Sequence, residues 1–163
     1  MKVKRAIKKD AEEIAEFFHR NVDESYISYG DIFACGRATK DLKWVPNIKQ
    51  VISCEVKDIV SGNIQNKEVL IAYGDENLIV GFAILAISES NAILEDLVVD
   101  KSVRGKGIGQ KFYMEIETLL TKQGIEFISL ESSINNVKAH EFFNNQGFKN
   151  STLIMVKKIE KIK

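Results

Sequence analysis

Hydrophobic positions change their spacing along this chain, and each change marks an element. Residues 2–6 read as a short strand, with Val3 facing inward between charged neighbours. Ile14, Phe17 and Phe18 then recur at helical steps. Asp10 starts that helix, positioned to accept from its free N–H groups, with Glu13 three residues later as in a capping box. Residues 21–43 show no sustained period. Ile48, Val51, Ile52 and Val56 form a second helical stripe that runs to Ser61 and Gly62, where Gly62 suits a C-cap. Pro46, the only proline, suits its first turn. Residues 68–73, 78–87 and 91–99 read as strands joined by tight turns, with Gly81 placed for a bulge. Ile108, Phe112, Ile116 and Leu119 give the main helix, 107–123, ended by Gly124. Residues 125–130 follow a helical crossover, so that strand should lie parallel to 91–99. A short helix carrying Val137, Ala139, Phe142 and Phe143 begins at Ser133 or Asn135 and stops at Gly147. Phe148 opens a last strand through Ile154 and Val156, whose edge makes a homodimer plausible. Residues 157–163 form a charged, frayed tail.

Composition sharpens this picture in three ways. A chain of 163 residues holds one core and is short for two ordinary domains. Hydrophobic and charged shares of 45% and 28% describe a soluble globular protein. Lys plus Arg and Asp plus Glu both total 23, so no global field favours nucleic acid or an anionic membrane. The first ten residues contain no apolar leader, and no run has membrane-spanning length. Cys35 and Cys54 lack C-x-x-C spacing and read as free, buried or partly buried thiols of a reducing cytoplasm. No metal-ligand cluster stands out.

The candidate chemistry lies where strand 91–99 meets the main helix. The stretch from Glu95 to Gly109 reads as a buried strand, a basic turn and a glycine-paved helix start. A helix start leaves backbone N–H groups unpaired and carries about half a positive charge. Gly105, Gly107 and Gly109 let an anion approach those groups, while Arg104 and Lys106 add full charges. The ligand expected there is a pyrophosphate. A dinucleotide fingerprint fails because Gln110 replaces its third glycine, and a P-loop fails because Gly107 follows Lys106.

Arg104-x-x-Gly107-x-Gly109 resembles the acetyl-coenzyme A pyrophosphate loop of the GNAT N-acetyltransferase superfamily. The preceding strand resembles that family's central strand. A second signature, N-x-x-A-x-x-F/L-Y-x-x-x-G-F, is matched from Asn136 through Ala139, Phe142 and Phe143 to Gly147 and Phe148. The resemblance extends over nearly the whole chain and is weakest from 21 to 67. It implies one α/β (α+β) domain, with a mixed, mostly antiparallel sheet of roughly six to seven strands and about four helices.

The resemblance also implies roles. Acetyl-coenzyme A would be the cosubstrate, with no metal. Arg104 and the N–H groups of Gly105, Lys106, Gly107, Ile108 and Gly109 would hold its pyrophosphate. Leu97, Val98 and Val99 would pair with the pantetheine arm, and the amide of Val98 would polarise the thioester carbonyl. Asn136 would reach the pantetheine, with Ala139 and Phe143 on the cofactor side. Glu95 would be the leading base for a primary amine, with Asp96 and Glu131 as alternatives. Phe143 stands where the family carries a tyrosine that protonates the leaving thiolate. Water or Tyr113 would take that part, and the same departure motivates an alternative, an acyl-coenzyme A sensor without turnover. Acidic and aromatic residues between 21 and 67 (Asp23, Glu24, Tyr26, Tyr29, Asp31 and Phe33) suit the wall of a site for a cationic small molecule or a peptide amine.

Overall fold

The computed structural model describes residues 1–159. Five strands form one sheet in sequence order, β1 (Lys2–Arg5), β2 (Lys67–Tyr73), β3 (Ile79–Ser88), β4 (Asn91–Val99) and β5 (Phe127–Ser129). The first four pair antiparallel, and β5 runs parallel to β4. Helices α1 (Ala11–Asn21), α2 (Tyr29–Phe33) and α3 (Ile48–Val60) lie between β1 and β2. Helix α4 (Ile108–Lys122) makes the crossover from β4 to β5, and α5 (Val137–Asn145) follows.

Two cores sandwich the sheet. On one face α1 and α3 bury Ile14, Phe17, Phe18, Ile52 and Val56 against Val69, Ile71, Phe82, Ile84 and Val98. On the other, α4 buries Phe112, Tyr113, Ile116 and Leu120 against Leu70, Ala72, Ala83, Leu85 and Leu94. The central strands β2 and β3 therefore read as continuous apolar runs, because both their faces are covered.

Several sequence expectations need correction. Asp10 does not cap α1 through its side chain; its carboxylate accepts the Ile7 amide at 2.9 Å and closes a 3₁₀ turn ahead of the helix. Helix α3 starts two residues after Pro46. The β2–β3 irregularity leaves over Val80, next to Gly81. Gly81 is needed for packing instead, since a Cβ there would sit 3.1 Å from both the Phe112 ring and the Val98 carbonyl oxygen. Cys35 and Cys54 are exposed, the latter because it faces away from the α3 stripe.

The largest difference is at the end. Residues 148–159 form no strand, so among the described residues the sheet has five strands rather than six or seven. Phe148 packs edge-on against Tyr113 and Phe143, but Leu153 to Val156 are exposed. A β-favouring apolar run forms a strand only where an edge can pair with it, and β5 offers three positions. The expected charged tail, 157–163, lies in part outside the described residues.

Candidate active site

A bulge in β4 organises the site. Ile84 faces Asp96 and Leu85 faces Leu94, so Glu95 is the extra residue on β4. Before the bulge, Ser90 turns its carbonyl toward β5 and accepts the amides of Glu126 and Phe127. Strand alternation then aims Ala92 and Leu94 the same way. The bulge shifts this parity by one residue. After it, Asp100 donates to Val80 at 2.9 Å, so Asp96 and Val98 face β3 with it, while Leu97 and Val99 face the β5 side. There β5 has already parted from β4, since their pairing stops at Ile93 and Ser129. An open edge results, presenting the backbone groups of Leu97 and Val99. The Val98 amide, expected from the sequence to face a ligand, points into the β3–β4 ladder instead. A one-residue bulge is enough to exchange the two roles.

The cleft opened by this divergence has a volume of about 820 Å³. One wall is the mouth of α4. Gly105 and Gly107 adopt φ of 74° and 77°, a region that only glycine enters freely. A Cβ at either would meet nothing within 4 Å, so backbone conformation rather than crowding demands glycine. The amides of Gly105 to Gln110 have no acceptor among the described residues, and the first helical bond closes at Lys111 to Gly107. Arg104 is turned onto the protein. Its Nε donates to the Val99 carbonyl at 3.0 Å and its Nη2 to the Asn21 carbonyl at 2.6 Å, with the guanidinium over the Tyr26 ring. Buried Asn21 also accepts the Lys101 amide, so the end of α1 pins the whole loop. Neither Asn21 nor this clamp carried a signal in the sequence.

Opposite, Asn136 caps α5, its Oδ1 accepting the Ala139 amide at 3.3 Å. Asn136, Ala139, Phe142 and Phe143 line the cleft. Tyr113 does not. It is buried under α4, and burial, aided by Glu117, pushes its hydroxyl up to about 12. The expectation that Tyr113 substitutes for a phenol at Phe143 is therefore withdrawn. Ser132, just beyond β5, lines the cleft with a buried hydroxyl that has no hydrogen-bond partner among the described residues.

The remaining wall is built on Arg37, whose side chain is 4% exposed. It bonds Glu55 of α3 at 2.7 Å and Asp96 of β4 at 2.9 Å, with Asp31 of α2 at 3.5 Å. Burial opposes the Arg37 charge, but Asp96, Glu55 and Asp31 outweigh it and raise its proton affinity. The bulge turns Glu95 to the same face as Asp96, where Lys67 of β2 holds it at 2.7 Å. Glu131 is also occupied, accepting the Gly30 amide at 2.8 Å and tying α2 to the end of β5. Glu95, Asp96 and Glu131, the carboxylates singled out in the sequence as bases, thus line the cleft but are each engaged. The cluster depends on Arg37, Glu55 and Lys67, which lie far apart in sequence and show no shared pattern.

This geometry can be compared with known proteins. The model of the Acetyltransferase (GNAT) family matches residues 38–148, well over half of the chain. No curated protein matches it. Among solved structures, a tetramutant of the BH1408 protein from Bacillus halodurans is similar at 17% identity and a TM-score of 0.77, over 98% of this chain and 100% of that one. The aminoglycoside N-acetyltransferase AAC(6')-Iy in complex with CoA aligns at 14% identity and 0.67, over 98% and 95%. An aminoglycoside acetyltransferase from an uncultured soil metagenomic sample, in complex with sisomicin, aligns at 18% and 0.64, over 98% and 96%. At such identities these likenesses speak for the fold, and they agree with the motif-bearing region that the family model spans. The chain belongs to the acetyltransferase (GNAT) family.

Proposed function

We propose that this protein transfers the acetyl group of acetyl-coenzyme A directly to a primary amine of a small cationic molecule, polyamine-like or aminosugar-like, or of a peptide. The observation that carries this reading is the row of unpaired amides from Gly105 to Gln110, set beside the open edge of β4 in one cleft. A helix mouth with aligned free N–H groups suits a pyrophosphate. The amides of Gly105, Lys106, Gly107, Ile108 and Gly109 would hold it, with the Lys106 charge beside them. Arg104 would act by fixing the loop. Leu97 and Val99 would pair with the pantetheine arm as an added strand does. The Leu97 amide, on the open edge, takes the carbonyl-polarising role first assigned to Val98. Asn136 keeps its amide nitrogen for the cofactor arm, beside Ala139 and Phe143.

An alkylammonium near pKa ~10 must lose a proton before it attacks. Glu95, Asp96 and Asp31 border the acceptor end of the cleft and favour a cationic acceptor. The leaving thiolate is tolerable near neutrality, since a thiol ionises near pH ~8.5. Turnover therefore survives the absence of a phenol at Phe143. That absence favours a second reading, an acyl-coenzyme A sensor. Free-thiol release from acetyl-coenzyme A with a panel of polyamines, aminosugars and peptides separates the two. Release with any amine establishes turnover and substrate class together. Tight coenzyme A binding with no release from any of them would leave the sensor.

A further inference from the structure

We infer that Asp31, rather than Glu95, takes the proton from the incoming ammonium group, an assignment that rests on the acetyl-transfer reading above. Of the carboxylates bordering the acceptor end of the cleft, Glu95 and Asp96 are held by cations at 2.7 and 2.9 Å, and Glu131 by the Gly30 amide at 2.8 Å. Asp31 is different. Its Oδ2 accepts the Ser28 amide at 2.9 Å, which fixes the group. Its Oδ1 lies 3.5 Å from Arg37 Nη1, beyond good hydrogen-bond range. That same nitrogen gives its short bond to Asp96. Asp31 Oδ1 is thus a fixed, under-used acceptor. It sits one guanidinium nitrogen away from Asp96, which immediately precedes the Leu97 amide on the open edge.

The surroundings reinforce this. Arg37 and Lys67 face four carboxylates, Asp31, Glu55, Glu95 and Asp96, so the cluster carries an excess of negative charge that attracts an ammonium. Facing Asp31 are Ser28 from its own turn, Cys35 and Arg37 from the following loop and Asp96 from β4, while Glu55 of α3 and Glu95 of β4 lie behind them, around Arg37 and Cys35. Glu131 approaches through Gly30. Burial, helped by Asp96, raises the Asp31 proton affinity against the pull of Ser28 and Arg37, which suits a base. Independently, the buried, unpartnered Ser132 hydroxyl on the same cleft marks a place for a polar group of a ligand.

In the proposed step the ammonium gives a proton to Asp31 Oδ1. The freed amine forms a C–N bond to the thioester carbon, whose oxygen the Leu97 amide stabilises. Collapse breaks the C–S bond, the thiolate takes the second nitrogen proton, and Asp31 returns its proton to water. The products are the N-acetyl amide, free coenzyme A and one proton.

The test is thiol release with spermidine, spermine and sisomicin from about pH 5 to pH 9, for wild type, Asp31→Asn and Glu95→Gln. Asparagine keeps an oxygen for the Ser28 amide, so Asp31→Asn should retain the wild-type circular dichroism and coenzyme A affinity. Its kcat is expected to fall about 10²-fold and the acidic limb of kcat/KM to disappear, while Glu95→Gln, which removes a charge that attracts the acceptor, raises KM and keeps the acidic limb. An Asp31→Asn profile matching wild type overturns the assignment and leaves acetyl transfer standing. No release by wild type with any of the three amines overturns both. If Asp31→Asn misfolds, ¹³C titration of the wild-type aspartate carboxyls decides. One carboxyl titrating above the ordinary range supports the assignment, and none doing so sinks it.

Discussion

The two walls of the cleft are built by different means. The α4 wall works through backbone, with a row of amides, two left-handed glycines and a strand edge freed by a bulge. Most of its side chains are spectators, and Arg104 spends its donors on carbonyls of its own chain. The opposite wall, around Arg37, works through side chains. Its carboxylates come from α2, α3 and β4, and a single buried arginine holds them in place. Backbone recognition tolerates sequence change wherever φ is preserved. A charge network fails when one member goes, because a buried charge without its partner is costly.

This contrast can be broken in graded ways. Arg37→Met carries the largest expected effect. It strands Glu55, Asp96 and Asp31, and should lower unfolding stability in urea by about 3–5 kcal/mol. Coenzyme A affinity of the folded fraction should hardly move, and a parallel loss would mean that the walls are coupled. Gly107→Val comes next. Forcing a β-branched residue to φ 77° costs about 1–3 kcal/mol. Calorimetric titration should show coenzyme A binding weakened ~10–100-fold, with the melting curve far less affected than by Arg37→Met.

A pH test follows. Because burial raises the Asp31 carboxyl above its unfolded value, its contribution to stability is present below the unfolded carboxylate range and is lost as pH rises through the folded value. Relative to wild type, Asp31→Asn should therefore gain stability on going from acid to neutral pH. A constant difference in urea melts across that window would contradict the sign. The smallest effect belongs to Phe143→Tyr, which restores a phenol beside a leaving group that scarcely needs one. Thiol release should rise less than ~10-fold, and a larger rise would make protonation of the thiolate a limiting step.

The two walls were also unequally legible in the sequence. Gly105, Gly107 and Gly109 after an apolar strand, and Asn136 to Phe148 at their spacing, announced the wall built on α4 and α5. Each requirement there is local: a positive φ, a helix start, a cap. Val98 was the exception. The sequence put its amide on the ligand side, but the bulge at Glu95 turns it toward β3 and leaves that of Leu97 on the open edge. Arg37 lies among residues without period, and no local pattern marks Lys67 or Glu55. The strand expected at 148–156 is absent for the same kind of reason, since a strand needs an edge to pair with and none among the described residues pairs with it.

Sequence alone thus determined the elements, the two faces of the sheet and the amide-lined mouth of α4, because period, glycine conformation and helix ends act over a few residues. Tertiary structure alone decided which strand amides face the open edge and which carboxylate remains under-used. Both depend on long-range register: one extra residue in β4 reverses the parity of a strand, and one guanidinium gathers charges from as far as 59 residues away along the chain.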